Sequence, residues 1–391
     1  MRTERGCCTP VELCLDPSCC KTTRQTTKPS YRQQLNRNQV SPSNPGTPAK
    51  NYVSVPPAGL SRCLSGQLCS GNEGKMSHNP CDGAKKEDYF VRYGRYYASW
   101  RPGKYLFPID NEESSRLDMV HKLFLVVQQD ELYLAPLAEN RPLRIMDLGT
   151  GSGIWAIHVA ERTGRQSEIM TVDLHKFQPQ YVPIGMTAVQ FDIEDPCWDS
   201  LMTRCDLVHI RMLFGSIHTV LWPQIYRNIY NHLLPGSGYL EHVEIEWVPR
   251  WDENDVDKEG NGMPDSPSAL EEWSNLYMTG LETLGRNGRI DGAAIRQTIE
   301  DVGFTNVEEK TIRLYMSPWM PEYHRREGAR WLNMCFTRGV EGMSLWPMII
   351  GLGMREDEVR AICERAIYES LEMRLRTYFN AHIWLARKPS N

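Results

Sequence analysis

From residue 143 to 247 the chain alternates short apolar runs with segments of helical period, and the first three runs end in glycine or acid. This pattern predicts strands at about 143–148, 168–173, 188–192, 205–210 and 238–247, with helices such as 153–163 and 222–233 between them. Ahead of them, Leu117, Val120, Phe124 and Val127 recur at i, i+3, i+7 and i+10, marking an amphipathic helix that runs towards Leu132 and is expected to cover one edge of the sheet. In "LLPGSGYLEHVEIEWV", Pro235, Gly236 and Gly238 stop a helix and turn into the fifth strand, and an acidic loop at about 250–267 precedes more helix. Strand alternation returns in Gly303 to Trp319 and in Tyr378 to Pro389, around a helix with Val359, Ile362, Cys363, Ala366 and Ile367 on one face. The expected fold is α/β: a Rossmann-like, mostly parallel sheet closed by two late strands, one antiparallel, under a helical N-terminal cover.

Composition changes the picture mainly at the N-terminus. Residues 1 to about 85 are rich in Thr, Ser, Pro, Gln, Asn and basic residues, too polar to offset chain entropy, and read as a disordered tail ahead of one domain over 86–391. Met76 opens a cleaner start, so translation from there is a second expectation. Eight of the twelve cysteines precede Asp82, at Cys7, Cys8, Cys14, Cys19, Cys20, Cys63, Cys69 and Cys81. Their spacing contains no C-x-x-C pair and fits neither a zinc site nor a disulfide framework, so no metal is expected. The net charge of −5 argues against direct nucleic-acid binding. No apolar run approaches the roughly 20 residues of a membrane span, nor does the N-terminus have a signal-peptide core, so a soluble intracellular protein is expected. Between Tyr89 and Asp110 an aromatic, basic run reads either as a flap over a ligand, extending to about 135, or as an amphipathic cover on the core.

The candidate chemistry starts at "RIMDLGTGSGIW", where Gly149, Gly151 and Gly153 turn the first strand into a helix. A dinucleotide's pyrophosphate would be repelled by Asp147 at the strand end, whereas the ammonium and sulfonium of S-adenosylmethionine would be attracted by it. About twenty residues on, Asp173 ends the second strand, placed to accept the ribose hydroxyls. Asp192 ends the third, either reading an adenine amino group or standing in a solvated acidic cluster with Glu194 and Asp195. The cofactor set expected is therefore Asp147, Gly149, Thr150, Gly151, Gly153, Asp173, Leu174, Asp192 and Ile193. Methyl transfer is an in-line displacement that needs alignment and exclusion of water rather than an enzyme nucleophile. A base for an oxygen or nitrogen acceptor would come from His242, Glu244 or His209, with His242 and Glu244 on one strand face, against a purely structural role for each histidine.

Several segments together resemble one family, the LaeA-like fungal methyltransferases. "GRYYASWRPGKYLFPIDNEESSRLD" looks like that family's lead-in, and "HKLF", "DLGTGSGIWAI", "DLVHI", "LEHVEIEWVPR", "ARWLN" and "ARKP" are similar in the same order, from Gly94 to Lys388. The resemblance implies a seven-stranded class I methyltransferase sheet that binds S-adenosylmethionine. It also implies residence in the nucleus, with the cytoplasm as a second compartment, and work beside velvet-type regulatory proteins on secondary metabolism, development and sporulation. Asp147, Gly149, Gly151, Gly153 and Asp173 carry over as cofactor positions. The chain departs from the family at "RMLFGS" after "DLVHI" and at Leu240, Glu241 and His242, positions the resemblance implies face the transferred methyl. Three functions stay open at this point: a regulator methylating a protein; a biosynthetic enzyme with a closed pocket built from Trp100, Trp155, Trp247 and Trp319; and a non-catalytic scaffold.

Overall fold

A computed structural model describes residues 52–54, 89–252, 256, 262–264 and 267–390. The expectations for the N-terminal tail, its eight cysteines and Met76 lie outside the described residues, apart from the short strand β1, Tyr52–Ser54. Seven strands form the main sheet: β4, Arg144–Leu148; β5, Glu168–Asp173; β7, Met186–Gln190; β8, Leu207–Arg211; β9, Tyr239–Arg250; β10, Thr305–Tyr315; and β11, Tyr378–Arg387. Their order is β10-β11-β9-β8-β4-β5-β7. Strands β9, β8, β4, β5 and β7 run parallel, and β11 runs antiparallel to both its neighbours, β9 and β10. The late pair thus closes the sheet as the alternation predicts, with the later strand inserted inside the earlier one. Of the small strands, β2 (Tyr89–Arg92) and β3 (Arg95–Ala98) form a hairpin, and β6 (Tyr181–Pro183) pairs with β1.

Helices cover both faces. Tyr226 and Ile229 of α3 (Trp222–His232) and Ile295 and Ile299 of α5 (Gly292–Val302) pack on the face made by Met146, Val208 and Leu240. Trp155 and Val159 of α2 (Ile154–Thr163) pack on the other, against Ile145 and Leu207. Helix α1, Asn111–Val127, starts where Asp110 accepts the backbone N–H of Glu113 at 3.1 Å and two bonds from Arg95 at 2.6 and 2.7 Å, which ties the β2–β3 hairpin to the helix end. The expectation that this helix covers a sheet edge is corrected: Val120 and Phe124 join Val243 and Ile245 of β9 in one core, so α1 lies over a sheet face. A long helix, α6 (Tyr323–Trp346), packs along it, while α4 (Ala269–Thr283) and α7 (Glu356–Ser370) complete that layer. Among the described residues, no helix is long and apolar enough to cross a membrane.

Helix α6 has no counterpart in the periodicity reading, and its glycines are the reason. Gly328, Gly339 and Gly342 weaken the helical signal, yet each sits where another element comes close. A Cβ at Gly328 would stand 2.6 Å from Val127, and one at Gly339 would overlap the Arg116 side chain. Arg116 cannot swing away without breaking its buried bidentate pair with Glu113, at 2.6 and 2.8 Å. Gly339→Ala is therefore expected to destabilise the fold by about 1–3 kcal/mol despite alanine's better helix propensity, read as a lower midpoint in urea unfolding at unchanged m-value.

Candidate functional site

The main cleft opens at the carboxyl ends of the parallel strands, where the chain order reverses across β4, as ligand sites in open α/β sheets do. It holds about 1150 Å³ of space, its open mouth included. The turn after β4 forms its floor. Gly149, Gly151 and Gly153 have φ of 69, 57 and 78°, the left-handed region that glycine tolerates best. A Cβ on Gly149 would overlap the Leu213 side chain, and one on Gly151 would press on Leu117 at 3.0 Å. Gly153 caps α2 without a side-chain bond, which leaves the first N–H groups of that helix free of a side-chain cap.

Asp173 lines the cleft at the end of β5. Its Oδ2 accepts the N–H of Gly151 at 2.8 Å and its Oδ1 accepts that of His175 at 2.9 Å. Burial pushes its pKa up to about 6, against the pull of these N–H groups. Leu174, Asp192 and Ile193 also line the cleft. Asp192 is not a solvated loop acid: it is buried, accepts the N–H of Glu194 at 2.9 Å and pairs with Arg101. Arg101 also reaches Asp195 at 2.7 Å, and Lys104 pairs with Glu194. The aromatic, basic run therefore reaches both the cleft and the core. Its arginine and lysine clasp the acids after β7, its Tyr105 and Phe107 face the cleft, and Tyr97 is buried against Trp346.

Three of the expected cofactor residues stand behind the lining. Asp147 is buried, accepting from the Thr150 hydroxyl and from His209 Nδ1 at 2.8 Å, and Gly153 lies beyond the turn. His209 is opposite Asp147 in the β4–β8 register and stacks on Trp155 with ring centroids 3.8 Å apart. Burial lowers its pKa in spite of the Asp147 carboxylate, so the imidazole is neutral and fixed. His242 is fully buried as well: its Nε2 lies 3.0 Å from Glu244 and its Nδ1 2.9 Å from the Tyr226 hydroxyl. A carboxylate only accepts, so Nε2 carries the proton and Nδ1 accepts from the tyrosine. Neither histidine reaches the cleft, which corrects their assignment as bases; both are spent orienting a carboxylate. Glu244 does line it. Its Oε1 accepts the N–H groups of Leu213 and Phe214 at 2.6 and 3.0 Å besides the His242 bond, while Oε2 has no protein partner among the described residues. Of the four tryptophans, Trp247 alone lines the cleft; Trp155 is in the core, Trp319 packs on Tyr315, and Trp100 is largely exposed.

Comparison with known proteins gives this geometry a family. A methyltransferase domain matches residues 119–309. The secondary metabolism regulator laeA of Fusarium oxysporum is 46% identical over 313 residues, 80% of this chain and 96% of its own. The secondary metabolism regulator LAE1 of Gibberella fujikuroi matches at the same identity and coverage. The chain belongs to the LaeA family. Among solved structures, a phosphoethanolamine N-methyltransferase of Haemonchus contortus in complex with S-adenosyl-L-methionine aligns with a TM-score of 0.37 at 14% identity, over 70% of this chain and 52% of its own.

In this LaeA-family protein the two departures from the family pattern fall in different places. All of "RMLFGS", Arg211 to Ser216, lines the cleft. Glu241 and His242 do not: Glu241 points to the opposite face, where its Oε2 accepts the N–H groups of Leu134 and Ala135 at 2.6 and 3.0 Å. Leu240 is buried in the core under α3 and α5, so facing the methyl is corrected for Leu240, Glu241 and His242 alike. The cleft also contains residues that no sequence pattern places there: Arg116 and Leu117 of α1, Tyr277 of α4 and Met343 of α6. All four come from helices whose position depends on tertiary packing.

Proposed function

We propose that the chain binds S-adenosylmethionine in this cleft, transfers its methyl group, and through that reaction acts in the nucleus as a regulator of fungal secondary metabolism and development beside velvet-type partners. The observation that carries the cofactor reading is the pairing of a Cβ-free, left-handed turn with Asp173 on its rim, a cradle that any side chain at Gly149 would fill. The regulatory part rests on the family. S-adenosylmethionine supplies a methyl on a positively charged sulfur, and the attacking lone pair of the acceptor displaces the thioether.

The residues of the chain do the rest. Asp173 accepts the ribose hydroxyls, the turn after β4 lies against the amino-acid half, and Leu174 and Ile193 wall the adenine. Arg101 and Lys104 hold the segment bearing Tyr105 and Phe107 over the cleft, so water is excluded from the transfer. Glu244 takes the acceptor's proton on Oε2, while His242, Leu213 and Phe214 fix Oε1. A specific observation favours a second acceptor class: Tyr105, Phe107, Trp247 and Tyr277 form aromatic walls that suit a flat small molecule.

Incubating the full chain with methyl-labelled S-adenosylmethionine and fungal extract, then separating by size, tests the reading. Label on macromolecules supports the regulator; label confined to small molecules supports the biosynthetic enzyme; none supports a scaffold. A fluorescent fusion expressed in the fungus tests residence in the nucleus, and co-purification with a velvet-type protein tests the partner.

The titration of Asp173 gives a further expected result. The ionised carboxylate accepts ribose O–H groups, and its protonation removes that acceptor. Affinity for S-adenosylhomocysteine should therefore be level above pH 7 and fall by up to about tenfold per pH unit once the medium drops through about 6. Because this carboxyl is raised on folding, its own contribution to stability grows as pH falls from about 6 to 4, so unfolding through this group does not cause the loss. Calorimetry from pH 5 to 8 checks it, and a flat profile would remove Asp173 from the ribose.

A further inference from the structure

Across the cleft the strand ends follow in the order β7, β5, β4, β8, β9. A ligand held by Asp173 on β5 has the end of β7 on one side of it and, on the other, the turn after β4 and then the end of β8. The residue at the end of β8 is Arg211, on the same strand face as His209 and beneath α1. Its guanidinium carbon lies 5.5 Å from the centroid of the Phe124 ring. It lines the cleft and makes no hydrogen bond or ion pair with any described residue.

Along the cleft wall that isolation is peculiar to it. The cleft wall holds two other cations, and both are neutralised: Arg116 by Glu113, and Lys104 by Glu194. The acids nearest Arg211 are Asp147 and Glu241, and both have other partners. Asp147 is engaged by His209 and Thr150; Glu241 is engaged through Oε2 by the N–H groups of Leu134 and Ala135, and its Oε1 is buried without making a hydrogen bond to Arg211. Both attract Arg211 through space, but burial outweighs them and lowers its pKa to about 10. A half-buried cation with no partner is costly, and such a group persists where a ligand supplies the missing charge. A guanidinium offers two parallel N–H donors in a plane, the arrangement that matches a carboxylate.

We propose that Arg211 is the binding residue for the α-carboxylate of the cofactor's amino-acid half. This rests on the S-adenosylmethionine reading above and assigns that site one of its anchors. Gly149 and Gly151, the two glycines of the turn that line the cleft, lie between Asp173 and Arg211 in the strand order, so a ligand reaching from one to the other would pass over them.

The test compares two ligands that differ only in the carboxylate, S-adenosylhomocysteine and its decarboxylated form, S-adenosyl-3-thiopropylamine, by calorimetry on the full chain. The unmodified protein should prefer S-adenosylhomocysteine by about ten- to a hundredfold. In Arg211→Gln that preference should shrink to within about threefold, with thiopropylamine affinity nearly unchanged, and Arg211→Lys should recover part of it. An Arg211→Gln variant that keeps the full preference, or weakens both ligands equally with a native thermal midpoint, overturns the proposal. So does an unmodified chain that binds both ligands equally, which leaves the cofactor reading intact. An unmodified chain that binds neither removes the cofactor reading itself. Should Arg211→Gln not fold, the Lys variant decides alone: its preference must lie below that of the unmodified protein.

Discussion

Replacing Asp173 with alanine is expected to weaken S-adenosylhomocysteine binding more than a hundredfold. Two ribose hydroxyls donating to one buried carboxylate contribute roughly 1.5 kcal/mol each, or about 3 kcal/mol together, and 1.4 kcal/mol is tenfold. The folded chain itself should survive the change. The buried carboxylate is held at a pKa of about 6, so its charge is disfavoured by the fold, and what alanine removes are the acceptors for the N–H groups of Gly151, which lines the open cleft, and of the half-buried His175. Calorimetry with a parallel thermal scan separates binding from folding. Unchanged affinity with an unchanged midpoint would place the cofactor elsewhere.

The second large effect is expected at Glu244, and there the two possible substitutions divide function from structure. Glu244→Gln keeps an oxygen for the N–H groups of Leu213 and Phe214 and removes the base. Methyl transfer should fall by about 10²–10⁴ while S-adenosylhomocysteine affinity stays within about twofold. Glu244→Ala also strips three donors of their acceptor, those two N–H groups and His242 Nε2, all buried. Leaving buried donors unpaired costs about 1–3 kcal/mol each, so the alanine variant should lose several kcal/mol of stability as well. Labelled transfer into extract together with urea unfolding measures both. Full transfer by the glutamine variant would mean that the acceptor needs no base, as a thiolate does not.

The parallel sheet was legible in the sequence because its strands are short, apolar and punctuated, and the glycine turn because positive φ leaves few alternatives to glycine. The histidines show where such reading stops. His209 and His242 lie inside β8 and β9 rather than at their ends, and what fixes their roles is register and packing: Asp147 across one ladder, and Tyr226 on a helix packed over the sheet. No spacing along the chain encodes either partner. The upper wall of the cleft was hidden for a related reason. Helix α6 carries glycines that look like helix breakers until the elements pressed against them are known, and Met343 reaches the cleft only because those glycines let the helix settle onto α1.

The insertion of β11 between β9 and β10 also fixes a timetable for biosynthesis. Residues 305–315 leave the ribosome more than sixty residues before Tyr378, yet β10 touches the sheet only through β11. During that interval β9 is an unpaired edge of twelve residues and β10 has no strand to join, a state in which strands pair readily with other chains. A nonsense or frameshift change after Met343 and before Tyr378 would freeze the nascent chain there. Such alleles should yield aggregated or degraded protein even though every residue that lines the cleft has already been made.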